Sequence, residues 1–277
     1  MNTKIKNIIN GFYYSNEILL NIKNKIKNKK KPSLAILNIG KNISSHIYIK
    51  NKINACKKIK FTYQIYNLSQ NISQFKLTNL IFKLNKKKYI NGIITQLPLP
   101  KTLNINHILI NINIKKDVDG LNPINLGKIM INEKTFKTCI AAVITYIFKK
   151  KNINNNLYAT IIGTSITVGT PIILELLKKN ISITTCNEFT NNIIFKIKNS
   201  NILISAVGKI NKYNYDIIKN KILIIDIGIN KINNKTIGDL DFFKLKNKTK
   251  YITPIPGGVG PITVAMLLKN TFKAYNL

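Results

Sequence analysis

The chain has 277 residues, with 44 basic residues against 10 acidic ones and a formal net charge of +34. The length fits two domains of about 100–200 residues each, and a hydrophobic content of 45% excludes a disordered polyelectrolyte. Lys or Asn interrupts each apolar run before the ~20 residues of a membrane span, so no membrane association is expected. Cys56, Cys139 and Cys186 are odd in number and widely spaced, which predicts no disulfide framework, no metal site and a cytoplasmic location.

The basic charge is carried entirely by lysines, which are spread along the chain. Lys, Asn and Ile codons can be built almost wholly from A and T, so drift in an AT-rich genome accounts for this composition. A protein selected for phosphate contacts usually keeps arginine, whose planar fork binds phosphates bidentately. We therefore expect no specific nucleic-acid partner, only a weak, salt-sensitive affinity for polyanions.

Apolar runs alternate with helical patterns through the first half of the chain. The predicted order is strand 33–40, helix 44–59, strand 61–68, helix 73–84 and strand 92–96, with Ser44 or Ser45 near the N-cap of the first helix. Strands alternating with helices imply parallel pairing.

A second series of the same kind follows an Asn-rich stretch near 149–156. Its predicted order is strand 158–162, helix 171–179, strand 181–186, helix 191–198, strands 201–207 and 221–227, and a last helix over 261–275. The fold class is therefore α/β, with a domain boundary between the two series.

Two glycine-rich segments are candidate binding turns. Gly163 to Gly169 (GTSITVG) follows a predicted strand and precedes a helix, where small residues and free N–H groups suit a phosphate. Its spacing is not G-x-G-x-x-G, so an ordinary tight turn with no ligand remains an alternative interpretation. Pro256 to Pro261 (PGGVGP) indicates close backbone approach to a ligand.

Polar side chains at five further positions are candidates for chemistry. Tyr48 and Lys52 lie four residues apart on one helix face, as a proton-handling pair or as a lysine packed on an aromatic ring. Gln96 ends a predicted strand, where ligands bind in open α/β sheets. Asp117 and Asp119 are two of the ten acidic residues, and their spacing from Gly120 does not fit a calcium loop, so a role in the site and a solvated turn are both open.

Taken together, these segments resemble the bifunctional methylenetetrahydrofolate dehydrogenase/methenyltetrahydrofolate cyclohydrolase family. The matching segments keep the family order from about Gly11 to the C-terminus: GIITQLPLP, KKDVDGLNPINLGKI, ATIIGTSITVGTPIILELL, ILIIDIGIN and YITPIPGGVGPITVAMLLKNT.

The resemblance implies two α/β domains around a cleft. Residues 1–138 form a folate-binding catalytic domain that helix 261–277 completes, and residues 139–260 form a Rossmann-like NAD(P)-binding domain. It further implies a cytoplasmic homodimer that oxidises 5,10-methylenetetrahydrofolate to 5,10-methenyltetrahydrofolate with NADP or NAD and then hydrolyses it to 10-formyltetrahydrofolate. The alternatives are a dehydrogenase whose cyclohydrolase step has decayed and a nonspecific nucleic-acid-binding protein.

The family's site residues carry over to matching positions of this chain. The catalytic set is Lys52, Tyr48, Gln96 and Asp119. The folate site adds Leu97, Pro256, Gly257, Gly258, Val259 and Pro261, and the cofactor site comprises Gly163, Thr164, Ser165, Glu188 and Ile229.

Two departures from the family pattern concern the linker and the cofactor. The chain reads Cys139-Ile140-Ala141 where the family has Cys-Thr-Pro, so a rigid turn is lost. Thr164 stands where NADP-using relatives often have Arg, and Glu188 lies near the distance from Gly163 at which a carboxylate binds an adenosine ribose in NAD-binding folds. These residues predict a weaker NADP preference than the family's, whereas a Glu188 that faces solvent predicts NADP use.

Overall fold

The computed structural model describes residues 7–26, 30–154, 156–210, 218–233 and 235–277. These residues form two compact units. We call them the three-stranded unit (residues 15–139 and 264–277) and the five-stranded unit (residues up to 14 together with 140–263). In the described part of the chain, no helix is long and apolar enough to cross a membrane.

The three-stranded unit is built around a parallel sheet in the order β2-β1-β3. Its elements are β1 (Ser33–Ile39), α2 (Ile43–Ile59), β2 (Thr62–Leu68), α3 (Gln74–Lys86), β3 (Gly92–Thr95), α4 (Ile105–Asn111) and α5 (Pro123–Met130), with most of α1 (Gly11–Ile26). All seven residues of β1 are buried, because this central strand is covered on both faces. Its inward side chains pack with α3 and α4 in one apolar cluster that includes Leu37, Ile81 and Ile108.

The five-stranded unit contains a second parallel sheet, in the order β10-β7-β6-β4-β5. Its elements are α6 (Cys139–Lys150), β4 (Tyr158–Ile162), α7 (Gly169–Leu177), β5 (Ser182–Cys186), α8 (Ile193–Lys198), β6 (Ile202–Ser205), β7 (Ile222–Asp226), α9 (Phe242–Leu245) and β10 (Thr249–Ile252). An antiparallel pair, β8 (Asn230–Ile232) and β9 (Lys235–Ile237), lies between β7 and α9 in the sequence. The last helix is α10 (Val259–Tyr275).

The predicted strands and helices of both series are confirmed, with ends that differ by a few residues. The N-cap of α2 is Asn42, close to Ser44 and Ser45 as predicted, and its side chain accepts a hydrogen bond from the N–H of Ser45 at 3.1 Å. Asn and Ser are both good cap residues, so the sequence alone did not separate them. The helix predicted from residue 171 begins two residues earlier, at Gly169. The sequence did not indicate this start, because a glycine at the first helical position carries no decisive signal. The elements that were not predicted are helices α1, α4, α5, α6 and α9 and strands β8, β9 and β10.

Parallel strands place their carboxyl ends at one edge of each sheet, where loops can form a binding site. In the three-stranded unit, Gln96 directly follows β3 at this edge. In the five-stranded unit, the glycine turn follows β4, and Glu188 and Ile229 follow β5 and β7. The fold therefore puts these predicted polar and glycine positions at strand ends.

Candidate active site

Lys52 is the centre of a polar cluster in the three-stranded unit. It is half-buried on α2, and its Nζ donates a hydrogen bond to Oε1 of Gln96 at 2.8 Å. The Gln96 side chain is buried, and its Nε2 donates to the carbonyl of Leu97 at 2.8 Å. Because the amide nitrogen is bound to Leu97, the amide oxygen faces the lysine. Two of the predicted catalytic residues are therefore in direct contact.

The surroundings of Lys52 change its acidity. Burial lowers the pKa of its ammonium group, while the negative charge of Asp119 opposes that shift. Burial also raises the pKa of Cys56 to about 12 and that of Cys139 well above the usual thiol value. Both thiols are therefore neutral near pH 7, and Asp119 is the anion that acts on the lysine.

Asp119 is positioned by its neighbour Asp117, which has a different role. A parallel bridge between Ile93 and Asp117 places this segment alongside β3. The Asp117 carboxylate is buried and accepts hydrogen bonds from the N–H groups of Gly120 (3.1 Å), Leu121 (3.3 Å) and Asn122 (2.8 Å) and from Nδ2 of Asn125 (2.8 Å). Burial raises the pKa of Asp117 to about 6, against these hydrogen bonds. Asp117 therefore holds the loop, and Asp119 is left half-buried at the lysine.

Gly120 brings a second chain segment to Asp119. Its φ is +74°, and a Cβ there would lie 2.7 Å from the backbone of Lys137 and Thr138. This close approach lets the N–H of Cys139 donate to the carbonyl of Asp119 at 3.2 Å. Sequence reasoning interpreted Cys139 as a linker residue and missed this contact, because 20 positions separate the two residues and no local pattern links them.

Asn270 is a further residue that the sequence reasoning missed. It lies on α10, and its Nδ2 donates to the carbonyls of Val118 at 2.9 Å and Lys137 at 3.0 Å. It therefore fastens together the two segments that carry Asp119 and Cys139. The only signal was its position in the family segment LLKNT, which gives no indication of its partners.

Tyr48 lies one turn before Lys52 on α2 and is half-buried. Burial raises the pKa of its phenol, so the hydroxyl keeps its proton and stays a hydrogen-bond donor at neutral pH. Leu97, the predicted folate contact next to Gln96, is also half-buried.

In the five-stranded unit, the glycine turn runs from the end of β4 into α7. Gly163 has a φ of +97°, and a Cβ there would lie 2.4 Å from the carbonyl oxygen of Ala206. A Cβ on Gly169 would lie 2.1 Å from the carbonyl of Gly163. The turn therefore requires glycine at both ends, which explains the GTSITVG pattern and gives a backbone-lined strand-to-helix turn that fits a dinucleotide phosphate.

The remaining predicted cofactor residues lie in this turn or follow other strands of the same sheet. The N–H of Gly163 donates to the carbonyl of Cys186 at 2.9 Å, which joins the turn to the end of β5. Thr164 is half-buried, and Ser165 is exposed. Glu188 is exposed two residues beyond β5, and Ile229 is 45% exposed after β7.

The segment from Pro256 to Pro261 belongs to the five-stranded unit and includes the start of α10. The φ of Gly257 is +100°, and its carbonyl accepts a hydrogen bond from the N–H of Gly11 at 2.7 Å. A Cβ on Gly258 would lie 2.4 Å from the carbonyl of Pro254. Val259 is buried and begins α10. Within the described ranges, no cluster of His, Cys, Asp and Glu side chains could hold a metal ion.

The fold and the two clusters define an α/β protein that combines a strand-to-helix glycine turn with a lysine–amide–carboxylate site. The tetrahydrofolate dehydrogenase/cyclohydrolase catalytic-domain model matches residues 9–119, and the NAD(P)-binding-domain model of the same family matches residues 138–277. The chain therefore belongs to the tetrahydrofolate dehydrogenase/cyclohydrolase family.

Known relatives cover nearly the whole chain. A "Bifunctional protein FolD" of Rickettsia typhi is 42% identical over 280 residues, which is 98% of each chain. The crystal structure of the bifunctional FolD enzyme of Campylobacter jejuni has a TM-score of 0.93, with 34% identity over 97% of this chain and 98% of that one. A Trypanosoma brucei enzyme, solved with NADP and an inhibitor, has a TM-score of 0.92, with 26% identity over 97% of both chains.

Proposed function

We propose that this chain oxidises 5,10-methylenetetrahydrofolate to 5,10-methenyltetrahydrofolate with NADP or NAD and hydrolyses that product to 10-formyltetrahydrofolate. The observation that carries the proposal is the hydrogen bond from Lys52 to Gln96, together with the lowered pKa of the lysine. Relatives with 37–43% identity are described as bifunctional, which supports both activities in one chain.

Lys52 handles the proton of the hydrolytic step. In its neutral form, the amine takes a proton from water as the water oxygen adds to the carbon of the methenyl cation. The protonated amine then gives this proton to the ring nitrogen N5 as the bond between N5 and that carbon breaks. The hydroxyl proton of the adduct leaves to solvent in the same step, which forms the carbonyl of the formyl group on N10 and releases one proton overall. A lysine with an ordinary pKa stays protonated near pH 7, so its burial is what makes this role available. Gln96 keeps Nζ aimed at one position.

Asp119 and Tyr48 bind the folate. The carboxylate of Asp119 accepts hydrogen bonds from pterin N–H groups, which orients the ring for both reactions. Tyr48 contributes an aromatic face and a hydroxyl donor. Leu97, Pro256, Gly257, Gly258, Val259 and Pro261 complete the folate contacts. In this assignment residues 1–138, together with helix 261–277, form the folate-binding domain.

Residues 139–260 form the NAD(P)-binding domain. The backbone of Gly163, Thr164 and Ser165 holds the phosphates at the start of α7, and Ile229 lies at the nicotinamide end. When bound, the nicotinamide supplies the oxidising chemistry. Glu188 is exposed, and pointing into solvent it predicts NADP use. Facing a bound adenosine ribose, its carboxylate would instead accept a hydrogen bond from the 2′-hydroxyl and repel a 2′-phosphate. In that orientation Glu188 favours a weaker preference for NADP than an arginine gives at the position that Thr164 occupies here.

The two alternatives have less support. Retention of Tyr48, Lys52 and Gln96, with the lysine and glutamine in contact, argues against a decayed cyclohydrolase. Nucleic-acid binding rests on net charge alone.

We further propose a cytoplasmic homodimer. The cysteines Cys56, Cys139 and Cys186 are free thiols, as a reducing compartment favours. The family resemblance supports the dimer.

The test is a spectroscopic assay of the purified chain. With methylenetetrahydrofolate, we expect reduced nicotinamide to form with at least one of the two cofactors. With methenyltetrahydrofolate alone, we expect hydrolysis above the uncatalysed rate. Loss of only the second activity contradicts bifunctionality, and absence of both contradicts the proposal.

A further inference from the structure

Two buried carboxylates at the edge of the five-stranded sheet have no part in the function proposed above. Asp226 ends β7, and Asp239 follows β9 by two residues. Asp239 is fully buried, and Asp226 is 4% exposed. Burying two carboxylates is costly unless their oxygens accept hydrogen bonds, so their partners indicate what the pair does.

Asp239 joins two loops at the carboxyl ends of neighbouring strands. Its Oδ2 accepts hydrogen bonds from the hydroxyl of Ser205 at 2.9 Å and from the N–H groups of Val207 at 2.8 Å and Gly208 at 3.3 Å, all at or beyond the end of β6. Its Oδ1 accepts from Nδ2 of Asn230 at 3.0 Å, in the segment that follows β7. One carboxylate therefore holds two backbone N–H groups of the loop after β6 and the side chain of Asn230 in the segment after β7.

Asp226 holds Asp239 in place from the other side. Its Oδ1 accepts from the N–H of Asp239 at 3.2 Å and of Gly228 at 3.1 Å, and its Oδ2 accepts from the N–H of Leu240 at 2.9 Å. A Cβ on Gly228 would lie 1.8 Å from Oδ1 of Asp239. Glycine at this position therefore leaves the space that the second carboxylate fills.

The loop after β6 lies against the proposed cofactor turn, and the loop after β7 carries the proposed nicotinamide-end residue. Ala206, whose carbonyl is the atom that a Cβ on Gly163 would meet at 2.4 Å, directly precedes Val207. Ile229, the proposed nicotinamide-end residue, directly precedes Asn230. A shift of Val207 therefore moves Ala206, and a shift of Asn230 moves Ile229. These two residues are the two sides of the proposed cofactor site.

We propose that Asp239 is a positioning residue for dinucleotide binding: it ties the loops after β6 and β7 to each other and thereby shapes the site that Gly163 and Ile229 border. This role rests on the proposed dehydrogenase function. It assigns Asp239 to cofactor affinity and gives it no part in the hydrolytic step at Lys52.

Asp239→Asn is the test variant, because it keeps the size of the side chain and removes its charge. Whichever way the amide turns, its NH₂ group faces donors, either those of the β6 loop or Nδ2 of Asn230. Asp241→Asn is the matched control: Asp241 caps α9 through the N–H groups of Phe243 and Lys244, and Asn caps equally well.

The readouts are the Kd for NADP and NAD by titration calorimetry without folate, the KM and kcat of the dehydrogenase, and cyclohydrolase activity without cofactor. We expect Asp239→Asn to raise the Kd and KM for the dinucleotide about tenfold or more, since hydrogen bonds to a charged group are lost. We expect a smaller change in dehydrogenase kcat, cyclohydrolase activity within about twofold of wild type, and a control that matches wild type throughout.

Asp239→Asn with wild-type dinucleotide affinity overturns the positioning role, and so does a proportional loss of cyclohydrolase activity. If Asp239→Asn fails to fold, Ser205→Ala removes a single donor to Oδ2, and the same pattern is expected at a few-fold; unchanged affinity there overturns the role as well. A wild-type chain that binds neither dinucleotide contradicts the proposed function itself.

Discussion

The three-stranded and five-stranded units build their sites from different materials. Around Lys52 the site is made of side chains: the lysine amine donates a hydrogen bond to an amide, and the charge of a carboxylate acts on it. Around Gly163 the contacts are backbone, and the polar side chains, such as Asp239, hold N–H groups in place. The first arrangement tunes the protonation of one group, whereas the second tunes the shape of a surface. Substitutions in the two regions should therefore damage different activities.

Lys52→Met should separate the two activities by the largest factor. We expect cyclohydrolase kcat to fall by about 10²–10⁴, the usual contribution of a positioned acid–base group. The dehydrogenase should lose much less, because that step depends on positioning. Both activities are measured on the same preparation. The control is Lys50→Met, an exposed lysine of the same helix, which should leave both unchanged. Equal losses in a folded Lys52→Met protein contradict this division.

Gly163→Ala tests the backbone-built site. The alanine must adopt a φ of +97° and meets the Ala206 carbonyl, so the loops have to move apart. We expect the Kd for the dinucleotide to rise about tenfold or more and Tm to fall, with cyclohydrolase activity retained below the new Tm. Gly40→Ala is the control: its φ is +78°, but its nearest neighbour is the Gln70 side chain at 3.5 Å. It should cost about 1–2 kcal/mol of folding free energy and leave dinucleotide affinity unchanged.

Asp119→Asn sharpens the account of the side-chain cluster. The charge of Asp119 raises the pKa of Lys52, so its removal lowers that pKa further. If the neutral amine is the active form, cyclohydrolase kcat rises with pH through this pKa, and the rise should move to lower pH in the variant. The pH–rate profile measures this, and Asp119→Glu, which keeps the charge, should not shift to lower pH. A profile that moves to higher pH in Asp119→Asn contradicts the role of Lys52 as a base.

Glu188→Ser carries the smallest expected effect. A carboxylate about 4 Å from a phosphate charge costs roughly 1 kcal/mol in water-like surroundings, so its removal should raise kcat/KM for NADP relative to NAD about fivefold. Glu133→Ser removes the same charge from the three-stranded unit and controls for the overall field. A ratio that changes equally in both variants shows that Glu188 does not read the ribose.

The sequence predicted the strands and the individual site residues better than it predicted their support. Periodicity located β1 and β4 because buried parallel strands are continuous apolar runs. Lys52 and Gln96 were candidates from their helix-face and strand-end positions, the family resemblance gave them catalytic roles, and their contact fits those roles. The roles of Cys139, Asn270 and Asp239 could not be predicted, because each depends on hydrogen bonds between segments distant in the chain. In the KDVDG segment, two aspartates two positions apart have the same chemistry but different roles. Their degree of burial distinguishes them, and the sequence does not show it.

The measurement that bears most directly on the central claim is the pKa of Lys52 itself. Protein labelled with ¹⁵N-lysine can be titrated by NMR, and the Lys52 signal is identified by its absence from Lys52→Met. We predict that this signal titrates below the usual lysine value of about 10.4 and moves lower still in Asp119→Asn. A Lys52 signal that titrates at or above the usual value contradicts the account, because the amine could not then take a proton from water near neutral pH.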